Sequence, residues 1–275
     1  MSKMLILFSF FTIVSTNEKC SSESPPRVPK YHLIEKCHRS KLGIAAKANY
    51  TSLTSCRRLG IEKKALALNF SPPDAENIKG NEPLDYTCEV LKCAESDGGL
   101  SLANDTRYDY YSIYAKPIPD VNSTCVPATG MFYLLSKKMN FTQAQTECKN
   151  ISAVLADVTS EQRTDALAAV LAGASVDAAL VGLKRTNTST FSAANGDALD
   201  CTTYRAWSPG HPRRYYDKFD CMVITRLRTW RSVPCKNRYP VLCELVPGGP
   251  YKVGTIFRKK NGKKGADISD STIKI

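Results

Sequence analysis

The side chains best suited to chemistry lie in the last quarter of the chain, where arginine, histidine and aromatic residues are interleaved. Three segments carry them: HPRRYYDK (His211–Lys218), RLRTWR (Arg226–Arg231) and KNR (Lys236–Arg238). A guanidinium presents a planar fork of donors matched to sulfate, carboxylate or phosphate, and a neighbouring Tyr or Trp can stack on a ligand ring. The candidate ligand-binding residues are therefore His211, Arg213, Arg214, Tyr215, Lys218, Arg228 and Arg231, and the expected partner is anionic. The plainer alternative is a solvated basic face that only keeps the protein soluble. The charge is strongly localised. Of the net +12 in 275 residues, +11 falls between Cys201 and Ile275, where 16 Lys and Arg face five Asp and Glu. The lysine-rich RKKNGKK (Arg258–Lys264) would add to such attraction, or equally serve as a processing site.

Catalysis has no comparable constellation. His32, His38 and His211 are scattered without metal-ligand spacing, so no metal site is expected. No nucleophile elbow, zinc-protease helix motif or phosphate loop occurs, and no cofactor is implied. The N-terminus reads as a signal peptide over residues 1–16: Lys3, then the apolar run Met4–Val14, then the small residues Ser15 and Thr16. That run is too short to span a bilayer and no later run is longer, so a secreted, extracellular protein without a transmembrane segment is expected. Export argues against nucleic acid as a physiological partner. Eleven cysteines in an exported chain read as a disulfide framework, and their odd number leaves a thiol either free or open to link two chains as a dimer. Seven Asn-x-Ser/Thr sequons, at Asn49, Asn69, Asn104, Asn122, Asn140, Asn150 and Asn187, suit a glycosylated surface. Pro72 after Ser71 makes Asn69 the weakest of them.

The elements that must position these residues follow from periodicity. The chain is 43% hydrophobic and 23% charged, which fits one or two globular domains. Residues 17–35 are polar and Pro-rich and read as a linker. A first cysteine-containing unit spans 36–116, with a helix over Ser52–Lys64 carrying Cys56. Strands are expected within Ala65–Phe70, Tyr86–Cys93 and Tyr108–Tyr114. The segment Lys116–Thr124 (KPIPDVNST) reads as a connection. The second unit, 125–246, opens with a strand at Met131–Leu135. A helix follows Asn140, with Gln143 at capping-box spacing, and a second starts near Thr159, with Gln162 at the same offset. Leu167, Val170 and Leu171 give the second helix its apolar stripe. Strands then follow at Ala179–Leu183, Cys221–Thr225 and Tyr239–Leu245. Two helices, then strands around long loops, predict an α+β domain. The tail, 247–275, is basic, lacks apolar periodicity and is expected to be disordered.

The signatures of the second unit, taken in order, resemble a C-type-lectin-like domain over about 125–245. They are FTQAQTEC (Phe141–Cys148), SAVLADVTSEQ (Ser152–Gln162), LVGL (Leu180–Leu183) in place of WIGL, Phe191 with Gly196, Trp207 with SPG, Asp220–Cys221, TWRSVPC (Thr229–Cys235) and PVLCE (Pro240–Glu244). The resemblance implies disulfides Cys148–Cys243 and Cys221–Cys235, and gives Pro212 the place of the family's cis proline. In members that bind sugar through calcium, a Glu-Pro-Asn or Gln-Pro-Asp tripeptide, a nearby acid and an Asn-Asp pair after a Trp supply the oxygens. Here those places read His211-Pro212-Arg213 and Arg231-Ser232. Calcium takes about six to eight oxygen ligands, so the resemblance implies a calcium-independent domain.

The first unit more weakly resembles a PAN/apple module, through Cys56, ALALNF, the strand around Cys88 and YDYYSIY. That implies a Cys56–Cys88 bridge, with Cys37–Cys93 as an accessory pair. Cys20, Cys125 and Cys201 have no assigned partners, and Cys125 is open to pair elsewhere. The whole reads as a secreted, glycosylated, non-catalytic protein of two modules, an α+β C-type-lectin-like domain after a smaller α+β PAN-like unit. Its expected partner is an anionic glycan or acidic surface. The alternative is a protein–protein or extracellular-matrix module that does not bind carbohydrate.

Overall fold

The computed structural model describes residues 28–73, 86–96, 99, 101–114, 123–185, 190–194, 196–213 and 218–248. The expected signal peptide, the heart of the 116–124 connection, nearly all of the basic tail, and Cys20, Asn122, Asn187, Arg214 and Tyr215 lie outside those residues.

The first unit is a five-stranded antiparallel sheet in the order β1 (His32–Glu35), β7 (Asp109–Ser112), β4 (Ala67–Phe70), β5 (Cys88–Leu91), β3 (Ile44–Ala48). Helix α1 (Leu53–Glu62) starts where the Ser52 side chain accepts from the Ser55 N–H (3.2 Å). It packs on β4 and β5, and Cys56–Cys88 bolts it to the sheet. A ribbon of β2 (His38–Ser40) and β6 (Leu102–Asn104) packs across β4 and β7. Every residue of β4 and β5 is buried, including the polar Asn69 and Glu89. A buried carboxylate must be paired. Arg39 grips Glu89 with two nitrogens (2.9 and 2.6 Å), Lys47 adds its ammonium (3.3 Å) and Asn69 donates its amide (3.1 Å). Burial alone would raise the Glu89 pKa, but the Arg39 and Asn69 hydrogen bonds and the Arg39 charge hold it below the ordinary carboxylate value.

Three expectations are corrected here. Asn69 is not a glycosylation site in this fold: its side chain is fully buried, and its amide also brackets the Ser40 backbone (2.9 Å each way). The linker does not extend to residue 35, because β1 joins the first sheet and Tyr31 and Ile34 are buried. Cys93 bonds not to Cys37 but to Cys125, the first cysteine of the second unit, while Cys37 keeps a free, exposed thiol. Strands β1, β2, β3 and β6 were not foreseen. They are three to five residues long and mostly half-buried, so their patterns are too short to register as period-two alternation.

The second unit is built on an eight-stranded sheet. Its main path runs β14 (Trp230–Val233), β13 (Cys221–Thr225), β11 (Ala178–Arg185), β15 (Tyr239–Leu245), β9 (Gly130–Met139), β8 (Thr124–Val126). Strand β10 (Ala153–Leu155) pairs with β15, and β12 (Phe191–Ser192) with β11. Helix α2 (Phe141–Asn150) has the expected Asn140–Gln143 capping box, and Cys148 joins it to β15 through Cys243. Helix α3 (Glu161–Gly173) is capped by Ser160, one residue later than expected, because Thr159 is drawn back onto the Asp157 carboxylate (3.0 and 2.9 Å). That shift makes Arg163, not Gln162, the third helical residue, and Arg163 pairs with Glu244 of β15.

The two sheets share one cluster of buried apolar side chains. At their junction the Tyr114 hydroxyl accepts from the Met131 N–H (3.2 Å), and Gly248 returns to pair with Ile113 (3.2 Å). The four disulfides joining described residues and the absence there of any helix long and apolar enough to cross a membrane are consistent with an extracellular protein.

Strand β11 approaches the Leu155–Ala156 backbone so closely that only glycine fits at 182. A Cβ there would sit 2.8 Å from the Leu155 carbonyl oxygen and 3.0 Å from the Ala194 Cβ. Gly182→Ala should therefore cost about 1–3 kcal/mol, read as a lower urea midpoint. An unchanged midpoint would mean that the strands can separate at no cost.

Candidate ligand-binding face of the second unit

The face is organised by the β13–β14 hairpin and the loop beside it. Successive side chains of a strand point to opposite faces, and β14 follows that rule: Trp230 is buried, Arg231 exposed, Ser232 buried. Trp230 donates its indole N–H to Thr164 of α3 (3.2 Å) and meets Tyr204 and Trp207 edge-on. Its backbone fixes the loop, donating to the Ala206 carbonyl (2.7 Å) and accepting from Ser208 N–H (2.9 Å). The loop then turns through Gly210 (φ +76°), and His211 follows with its N–H on the Ser208 carbonyl (3.0 Å).

The His211–Pro212 peptide is cis. His211 Nδ1 accepts from the Ser232 N–H (3.0 Å) and lies 3.0 Å from the Ser232 hydroxyl. That hydroxyl oxygen in turn accepts from the Arg213 N–H (3.0 Å). A nitrogen that accepts cannot carry a proton, so His211 is held neutral with Nε2 protonated. Burial, then the charges of Arg213 and Arg231, lower its pKa. This clasp closes the His-Pro-Arg loop directly onto β14. Arg213 rests over the Phe219 ring (4.8 Å), and Arg185 of β11 donates to the Arg213 carbonyl (3.1 Å).

His211 and Arg213 meet at Ser232, and Arg231 stands near enough for its charge to act on the His211 ring. Lys218 is exposed. Arg228 is not part of that group. It sits at the hairpin tip in a left-handed conformation (φ +60°) and faces Asp165 of α3 (3.8 Å), while Arg226 pairs with Asp177 (3.1 Å). The tip carries Arg228 toward α3 and Arg226 toward Asp177, just before β11, with Thr225 and Thr229 closing a tight turn beneath them (Thr225 N–H to Thr229 carbonyl, 2.9 Å). Sequence reasoning missed Ser232, Ser208, Thr225 and Thr229. The available signal was the Thr225/Thr229 pair bracketing RLR, which marks a hairpin turn. Among the described residues, no three His, Cys, Asp or Glu side chains gather as metal ligands.

Residues 137–245 match the family model described as "Lectin C-type domain". Over these residues the chain is similar to the C-type lectin-like domains. Solved structures resemble it at low identity. Human lithostathine is 16% identical, over 44% of this chain and 85% of that one, with a TM-score of 0.40. The mouse scavenger receptor C-type lectin carbohydrate-recognition domain is 19% identical, over 42% and 88%, with a TM-score of 0.37. A calcium-independent type II antifreeze protein is 19% identical, over 44% and 94%, with a TM-score of 0.38. The Cys148–Cys243 and Cys221–Cys235 bonds implied by the resemblance are present in the lectin-like domain, as is Cys56–Cys88 in the first unit. Cys201 is also disulfide-bonded. Such a domain fits a non-catalytic recognition protein.

The clasp makes the lectin-like domain sensitive to acid. Folding lowers the His211 pKa below its ordinary 6.5, so the unfolded chain takes up the proton first as pH falls. The clasp's contribution is complete above pH 6.5 and is lost as pH drops through the folded value. Thermal melts should therefore show wild type losing stability relative to His211→Gln between neutral pH and pH 5. Parallel curves for the two proteins would mean that His211 titrates normally.

Proposed function

We infer that this is a secreted, glycosylated, non-catalytic recognition protein whose lectin-like domain binds an anionic glycan without calcium. The observation that carries this reading is the clasp with its flanking arginines. The positions that would have to supply calcium oxygens are occupied by a neutral His211 ring bonded to Ser232, and by Arg213 and Arg231, whose fixed charges repel a cation. Arg231 has no partner among the described residues and faces solvent, so it is available to an oxyanion. Exposed Asn49, Asn104 and Asn150, with half-buried Asn140, remain the glycosylation candidates among the described sequons. The first unit, with its helix-to-sheet Cys56–Cys88 bridge, fits a PAN/apple-like contact module, and its Cys93–Cys125 bond ties it to the lectin-like domain.

Binding of the secreted protein to immobilised heparin tests the reading. Affinity should be the same in calcium and in EDTA and should weaken steeply with added salt, because exposed charges are screened. Arg213→Glu or Arg231→Glu should lower it by about tenfold, the effect of ~1.4 kcal/mol. Loss of binding in EDTA would contradict the calcium-independent reading. Salt-insensitive capture of a protein ligand would favour the protein-interaction alternative.

A further inference from the structure

We propose that a bay beside the β13–β14 turn seats one charged residue of an acidic glycan chain, with its carboxylate or sulfate against Arg231. The bay is about 360 Å³ and is lined by Asp177, Ser208, Thr225, Arg226, Leu227, Thr229 and Arg231. Its volume falls within the ~300–1,000 Å³ typical of small-ligand clefts. The inference rests on the anionic-glycan reading above and says where that ligand sits. The bay adjoins the clasp without using it, because Arg231 and Ser232 point to opposite faces of β14.

Its chemistry is donor-rich. Ser208 donates to Thr229 (2.8 Å), and Thr229 and Thr225 share a second hydroxyl hydrogen bond (2.8 Å). The Thr225 oxygen also accepts from the Leu227 N–H (3.3 Å). Three hydroxyl protons thus serve two hydrogen bonds within the bay. Whichever threonine donates to the other, one proton is left for an acceptor from outside. Arg231 adds a guanidinium with no partner among the described residues, and guanidinium groups donate but never accept.

Two further features argue for a sugar rather than a bare anion. Asp177 holds Arg226 through Nε (3.1 Å) and, at the wall of the bay, offers carboxylate oxygens that a ligand hydroxyl can donate to. Leu227 stands 77% exposed at the rim, an apolar surface for the C–H face of a ring. A polyhydroxylated ring with one oxyanion satisfies all of these groups together. An isolated multivalent anion would meet the Asp177 charge and leave Leu227 bare.

Titration of the full secreted protein in EDTA against heparin, which carries sulfate and carboxylate, and hyaluronan, which carries carboxylate alone, tests the proposal. Thr229→Val removes the hub hydroxyl, and Arg231→Gln removes the fork from an exposed position where folding is not at stake. Lys138→Gln, on β9, controls for the loss of one positive charge. The bay variants should each weaken binding by about tenfold, their double mutant by less than the product, and Lys138→Gln by no more than about twofold. Wild-type binding of both polymers points to the carboxylate and of heparin alone to the sulfate, and in either case weakened binding by the bay variants supports the bay. If both bay variants bind like wild type while Arg213→Gln loses affinity, the ligand lies on the clasp side and the bay is refuted, with the anionic-glycan reading intact. If wild type binds neither polymer, or only a poly-glutamate peptide, the glycan reading fails and the bay with it.

Discussion

The alternation of side chains along Trp230, Arg231 and Ser232 of β14 is the constraint on which the candidate ligand face depends. An extended strand must send Trp230 and Ser232 one way and Arg231 the other. Trp230 takes the inward place and fastens the hairpin to α3 through Thr164, while its backbone holds the 206–208 loop. Ser232, also inward, receives the loop's far end through His211 and Arg213. Arg231 is left facing solvent, held in place by neighbours that cannot move without unpairing a buried polar group. One short strand thereby sets the loop, the clasp and the exposed guanidinium together.

This arrangement gives an irregular loop its shape from within the chain. A metal ion organises oxygen ligands because each is drawn to one charge. Here a neutral imidazole, a hydroxyl and two backbone N–H groups satisfy one another at 3.0 Å, and burial, with the charges of the nearby arginines, keeps the imidazole unprotonated. The arginines can then serve a ligand while disfavouring a cation. Disulfides extend the same rigidity outward. Cys221–Cys235 closes the base of the hairpin, and Cys93–Cys125 with the Tyr114–Met131 contact fixes the first unit against the sheet that carries it.

Much of this was legible in the sequence wherever a local pattern had a local cause. The α2 capping box, the buried runs of β4, β5 and β11, and the cysteines that the lectin resemblance pairs all appear where the residues put them. What was not legible depended on partners distant in sequence. Asn69 looks like a sequon until Glu89 and Ser40 close over it, and Cys93 looks like a mate for Cys37 until the second unit brings Cys125 to it. Arg226 and Arg228 look equivalent to Arg231, yet the tightness of the Thr225–Thr229 turn hands them to Asp177 and Asp165. Ser232 carries no charge, and although TWRSVPC contains it, its role is visible only once His211 lies beside it.

On the proposed reading, a His–Ser clasp and not a bound cation shapes the candidate ligand face. Nitrogen-15 NMR of the His211 ring tests it most directly. The account predicts an unprotonated, hydrogen-bonded Nδ1 at neutral pH, a ring pKa below 6.5, and signals that do not move when millimolar calcium is added. A ring that titrates at or above 6.5, or signals that shift saturably with calcium, would contradict it.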